Sequence, residues 1–270
     1  MRIRIFLSTA IVIFGMTANF ESARAQSAAD RLAASPRHQE WVTIQGQGED
    51  SFSAFIVYPE RTTASDSVVV IHDISAMSDW ARLVGDELAA KGYFAIVPDL
   101  LSGKGPENGN TESFTDRAEA GRAMRALDPD EVTARLRAAV SYARSQTSTT
   151  DAVSVAGFCW GGAQAFRLAT NEPTLKAAFV FYGSPPSAES MGNIQCPIYG
   201  FYAENDNRIN ATIEDTTQNM TDLGKKYEPV IYEGVGHGFV RTGMGETPRD
   251  TYRLRTDEAW ERWLTLLGEG

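Results

Sequence analysis

Apolar residues recur along this chain in two alternating patterns. Short β-branched or aromatic runs are followed by stretches in which apolar positions return every three or four residues. Trp41–Ile44 and Ser51–Tyr58 flank a QGQGED turn and alternate only partially, as antiparallel edge strands do. Ser67–Ile71 (SVVVI) is continuously apolar after its serine and predicts a strand buried on both faces. Asp79–Lys91 carries Trp80, Leu83, Val84 and Leu88 on one helical face and stops at Gly92. The alternation then repeats. Strands are predicted at Tyr93–Val97, Ala152–Ala156, Ala177–Phe181, Pro197–Tyr202 and Pro229–Tyr232. Helices are predicted at Asp130–Arg144, Gly161–Ala169, Ile213–Lys225 and Arg253–Leu267. Asp128-Pro129 supplies a cap and a first-turn proline for the first of these. Strands alternating with crossover-length helices predict one α/β domain, with a mostly parallel sheet covered on both faces. Residues 102–127 lack a clear period and are expected as a long loop over one end of the sheet.

The amino terminus breaks the pattern. Arg2 and Arg4 precede an apolar run, Ile5–Met16, and Ala23-Arg24-Ala25 places small residues where a signal peptidase reads. The run is short for a membrane span, so residues 1–25 are expected to be a secretory signal cleaved after Ala25. The mature protein is then exported, most simply to a bacterial periplasm, without a membrane anchor. Residues 26–40 are polar and expected as a loose arm, and 41–270 as the folded domain. The formal charge is -10, and removing the signal makes it about -12 by side-chain counting. Such an acidic surface argues against nucleic acid as a partner.

Candidate chemistry centres on Gly157-Phe158-Cys159-Trp160-Gly161, which follows a strand and opens a helix. Cys159 could be a buried apolar residue, half of a disulfide, a metal ligand or a nucleophile. Its setting is that of a nucleophile elbow, where tight turning requires small neighbours and presents the central side chain. The helix amino terminus favours a thiolate and aims the Trp160 N–H at a developing oxyanion. Cys196 precedes Pro197 at the opposite end of the sheet, about a strand length away, too far for a disulfide. Two cysteines without clustered histidines make a poor zinc site.

A thiol nucleophile needs a base. His237 lies in GVGHGF, just beyond a predicted strand. His72, at the end of Ser67–Ile71, suits packing or loop support, and His38 lies in the arm. Asp206 follows Pro197–Tyr202 and can orient the histidine, with Glu204 and Asp215 as alternatives. The order Cys159, Asp206, His237 is the nucleophile–acid–base order found with such elbows. The loop after His72 would complete an oxyanion hole through the Ile74 N–H. Asp73 in that loop is unexpected, because a charged carboxylate opposes an anionic intermediate. Arg117 and Arg241 can each clamp a carboxylate through a bidentate pair, although singly each reads first as a surface residue.

VVVIHD at Val68–Asp73, KGYFAIVPDL at Lys91–Leu100, GFCWGG at Gly157–Gly162 and GHGFVR at Gly236–Arg241 carry a more specific signal together. With them the chain resembles the dienelactone hydrolase (carboxymethylenebutenolidase) family of α/β-hydrolases over Ser51–Leu267. The resemblance implies a cysteine nucleophile at Cys159, triad partners at Asp206 and His237, and an accessory acid at Asp73. It also implies substrate-carboxylate arginines at Arg117 and Arg241. The implied substrate is a small lactone or ester, carboxylated in the classical case, and no cofactor is required. Three departures stand out. Asp73 is one methylene shorter than the family's glutamate. Gly121 and Met124 replace a tyrosine and a tryptophan, implying a wider pocket. The signal is foreign to the cytoplasmic classical enzyme. Two other readings are a broad carboxylesterase or thioesterase, and a non-catalytic binding protein on the same fold.

Overall fold

A computed structural model describes residues 26–269. The expected signal peptide, residues 1–25, lies outside the described residues. The strands are β1 (Gln39–Gln45), β2 (Ser51–Val57), β3 (Ser65–Ile71), β4 (Phe94–Pro98), β5 (Thr149–Phe158), β6 (Ala178–Phe181), β7 (Ile198–Asn205) and β8 (Tyr227–Gly236). They form one sheet in the order β1-β2-β4-β3-β5-β6-β7-β8. Only the β1–β2 and β2–β4 pairs are antiparallel, and every pair from β3–β4 to β7–β8 is parallel. This is the single-domain α/β-hydrolase architecture, and each strand predicted from the apolar pattern is present.

Alternate residues of the central strands feed two cores, because successive side chains point to opposite faces. Val68, Val70 and Phe158 pack with Leu83, Val84 and Trp263 on one face. Val69, Ile71 and Val155 pack with Leu136, Val140 and Phe166 on the other. The first face is covered by helices Asp79–Ala90 and Asp250–Gly268, the second by Pro129–Ser145 and Trp160–Ala169. Side chains such as Val70, Leu136 and Phe166 are wholly buried. Each contributes about 1.5–3 kcal/mol relative to exposure, which locks the strand ends that carry the site.

The amino-terminal arm is more ordered than expected. Helix α1 (Ala28–Ala33) is capped by Ser27, and β1 already begins at Gln39. Arg31 pairs with Glu87, and Arg37 pairs with Asp86. Ser35 Oγ and Gln39 Nε2 donate to the same Asp86 carboxylate at 2.6 and 2.9 Å. These partners lie about 50 residues downstream in helix α2 (Asp79–Ala90). No local period could signal them.

The loop expected over 102–127 contains helix α3 (Arg117–Ala126), capped by the Asp116 carboxylate on the Ala118 N–H at 2.8 Å. Its buried positions are Ala120, Gly121 and Met124, too few and too small to register as an apolar face. Ala120 and Met124 pack with Ala76 and Leu101, which docks α3 beside the loop after β3.

Candidate active site

Strand β5 ends at Phe158, and helix α5 (Trp160–Ala169) begins after Cys159. Nothing but a sharp turn fits between them. Cys159 takes φ 57° and ψ -114°, a region non-glycine residues rarely enter. Such strain persists only where the surroundings over-determine it. Those surroundings are its own N–H donating to the Phe181 carbonyl at 2.9 Å and two glycines at closest approach. A Cβ on Gly157 would sit 1.9 Å from the Gly161 carbonyl oxygen, and one on Gly161 would sit 2.4 Å from those of Ile71 and His72. The elbow is therefore wedged against the end of β3, where the loop carrying Asp73 and Ile74 starts.

Strand β8 ends at Gly236, placing His237 in the next position. Its Nε2 lies 3.0 Å from Cys159 Sγ. Its Nδ1 lies 2.5 Å from Asp206 Oδ2. The Tyr182 ring packs on the imidazole in a T-shaped arrangement, with ring centroids 5.0 Å apart. Asp206 directly follows β7 and stands at the amino end of the short helix α7 (Asn207–Asn210), yet its side chain does not cap that helix. The carboxylate turns to His237 instead. The two alternative acids are engaged or placed elsewhere. Glu204 accepts the Gly234 N–H at 2.9 Å, and Asp215 lies in the first turn of helix α8 (Ile213–Asp222).

The contact with Cys159, reinforced by Asp206 against the cost of burial, pushes the His237 pKa up to about 9. An imidazolium at neutral pH then donates from both nitrogens, to the sulfur and to the carboxylate. A cation in that position favours ionisation of a thiol it faces.

His72 is fully buried and held neutral, burial lowering its pKa. Nδ1–H donates to the Asp73 carbonyl at 3.0 Å, and Nε2 accepts the Leu100 N–H at 3.5 Å. Its ring lies nearly parallel to Trp160, at 14°. It supports the loop and has no free nitrogen for proton transfer. Cys196 is buried, and its thiol is pushed up to about 12 by that burial. Both cysteines are free.

A cavity of about 310 Å³ opens beside Cys159. Ile74, Trp160, Tyr182, Ser184, Arg125 and Arg208 are among the residues lining it. Ile74 and Trp160, the expected oxyanion donors, thus border the same space as the sulfur. Among the described residues, no side-chain hydrogen bond caps the first turn of α5.

The other expected residues are arranged differently. Arg117 is exposed at the first turn of α3 and does not line the cavity. Arg125, two helical turns on, does. Arg241 Nη1 is committed to Asp73 Oδ2 at 2.5 Å, and its guanidinium lies over the Trp80 ring. Asp73 Oδ1 accepts the Ser75 N–H at 2.8 Å. Both Asp73 oxygens are thus occupied by Arg241 and Ser75 rather than by Cys159. Met124 is buried against Ala76 and Leu101 and is not among the residues lining the cavity. Tyr182, Arg125 and Arg208 were not singled out from sequence. Tyr182 ends the run AAFVFY at the carboxyl end of β6, next to the elbow strand, which is where ligands of such sheets bind.

The dienelactone hydrolase family profile matches residues 52–270. The chain belongs to the dienelactone hydrolase family. A curated relative from Escherichia coli (strain K12), named "Putative carboxymethylenebutenolidase", is 27% identical over 238 residues, covering 83% of this chain and 84% of that one. Another, from Bradyrhizobium sp and named "Probable 2-oxo-3-(5-oxofuran-2-ylidene)propanoate lactonase", is 28% identical over 242 residues, covering 84% and 93%. Among solved structures, a "Putative Dienelactone Hydrolase" from Klebsiella pneumoniae superposes with a TM-score of 0.75 at 22% identity, over 87% of this chain and 99% of that chain. That likeness shows the fold. Membership in the dienelactone hydrolase family makes the protein a hydrolase.

Proposed function

We propose that this protein hydrolyses small lactones or carboxylic esters through an acyl-cysteine intermediate, with Cys159 as nucleophile, His237 as acid and base, and Asp206 orienting the imidazole. The observation that carries this reading is the 3.0 Å approach of His237 Nε2 to Cys159 Sγ at the strained elbow. The lactonase name of the Bradyrhizobium relative supports extending it to ring esters.

The Cys159 thiolate attacks the carbonyl carbon, and the oxyanion that forms is held by the Ile74 and Trp160 N–H groups. As the carbon–oxygen bond to the leaving group breaks, the imidazolium of His237 gives its proton to the departing oxygen. In a lactone that oxygen stays on the same molecule. Neutral His237 then takes a proton from water, the hydroxide attacks the thioester, and the thiolate leaves as the acid forms. Asp206 holds the ring orientation throughout. The Asp73 carboxylate would oppose the oxyanion if it were unpaired, and Arg241 compensates it. In this reading the enzyme works outside the cytoplasm, its signal removed after Ala25.

The pH dependence tests the charge state. For an alkyl ester, whose departing oxygen needs a proton, kcat/KM should hold near neutrality and fall with a midpoint near pH 9, as the His237 proton of the free enzyme is lost. Alkylation of Cys159 by iodoacetamide needs only the thiolate and should not fall over the same range. Turnover that climbs through pH 9 together with alkylation would contradict the ion pair.

The Arg241–Asp73 pair makes a second prediction. Asp73 is only 8% exposed, so Arg241→Ala leaves a nearly buried carboxylate without its cation on the loop that starts where the elbow is wedged against β3. Alkylation of Cys159 and ester turnover should both slow by about 10- to 100-fold, since a like charge disfavours the ionised thiol. Adding Asp73→Asn should restore most of the loss. Failure of that rescue would show that Arg241 acts in some other way.

A further inference from the structure

Two arginines that form no ion pair among the described residues line the cavity beside Cys159. Most arginines of this acidic chain are matched to acids, for example Arg135 with Asp50 at 2.7 Å and Arg167 with Asp130 at 2.5 Å. Among the described residues, Arg125 donates only to the carbonyl of Gly121 in its own helix, at 3.0 Å, and Arg208 has no ion pair. Both nevertheless line the cleft with the nucleophile.

They reach it from different sides. Arg125 comes from α3, which docks over the loop after β3. A Cβ on Gly121 would lie 3.7 Å from both the Arg125 Nη1 and the Ile74 carbonyl oxygen. The Arg125 guanidinium and the Ile74 backbone therefore both lie beside Gly121. Arg208 sits in α7, directly after β7. In the sheet, β5 with Cys159 lies between β3 and β7, whose ends are three strand spacings apart, about 14 Å. The two cations thus come from opposite sides of the elbow strand, where an extended molecule crossing Cys159 would meet one at each end.

We propose that Arg125 and Arg208 form two separate anion subsites flanking Cys159, so that the preferred substrate carries an anionic group on each side of its scissile carbonyl. This rests on the acyl-cysteine reading and adds a dianionic substrate class to it. Local cations of this kind attract an anionic ligand in spite of the protein's net negative charge.

The test uses four aryl esters of matched reactivity: neutral, carboxylated on the acyl arm, carboxylated on the aryl arm, and carboxylated on both. Wild-type protein should show its highest kcat/KM on the doubly charged ester. Arg125→Ala and Arg208→Ala should each lower the charged-to-neutral ratio of kcat/KM by about two- to fivefold, the range expected for one exposed charge contact. The two losses should fall on opposite arms. Losses by both variants on the same arm would overturn the two-subsite proposal in favour of one shared anion site. Unchanged ratios in both variants would overturn it altogether. Absence of turnover of all four esters by wild-type protein would instead overturn the hydrolytic reading beneath it.

Discussion

Cys159→Ala is expected to lower turnover of lactones and aryl esters by about 10⁴- to 10⁶-fold, the loss seen when a covalent nucleophile is removed from a triad. The fold should survive. The strained backbone at Cys159 is held by its neighbours, and alanine pays the same penalty at φ 57° as cysteine does. The Cys159 N–H bond to the Phe181 carbonyl is also kept. Circular dichroism and the urea midpoint should match the parent, while steady-state kinetics collapse. Turnover near the parent value would remove Cys159 from the mechanism. Cys159→Ser discriminates less well, because a serine oxygen at the same elbow can itself attack a carbonyl.

Gly157→Ala should damage stability and chemistry together. The new Cβ would meet the Gly161 carbonyl oxygen at 1.9 Å and its carbon at 2.4 Å. Both are backbone atoms of the first turn of α5, so no rotamer change relieves the clash. The turn must move, and the Trp160 N–H moves with it. A cost of about 3 kcal/mol or more is expected, at the upper end of overpacking effects. Turnover of the folded fraction should fall by about 100-fold, the usual consequence of misplacing a catalytic group by an ångström. Urea titration and kinetics on one preparation check both. Near-normal behaviour would mean that the elbow tolerates rearrangement and that its tightness is not what positions the nucleophile.

How much of this was legible before the structure depended on the range of the interaction. Buried strands announce themselves, since β3 and β5 need apolar residues on both faces over several positions. The ends of those strands then follow, and with them Cys159, Asp206 and His237, each standing just past a strand end. Their mutual contacts arise from sheet order, β5, β7 and β8 being near neighbours. Residues on helices and loops were harder. Arg117 and Arg125 share α3, and nothing in RAEAGRAMRA reveals which one faces the cleft. Arg241 follows the histidine closely enough to suggest a substrate clamp, but the nearest anion is the protein's own Asp73. Helix α1 depends on Asp86 and Glu87, far along the chain. Charged side chains find partners by proximity in the fold, which a periodic pattern does not encode.

The acyl-cysteine itself is the most direct test of the account. Protein mixed with excess aryl ester, quenched in acid within the first turnovers, should gain the mass of one acyl group. Peptide mapping should place that mass on Cys159, and Cys159→Ala should not acquire it. An unmodified protein under conditions of rapid turnover, or an acyl group carried on another residue, would contradict the mechanism.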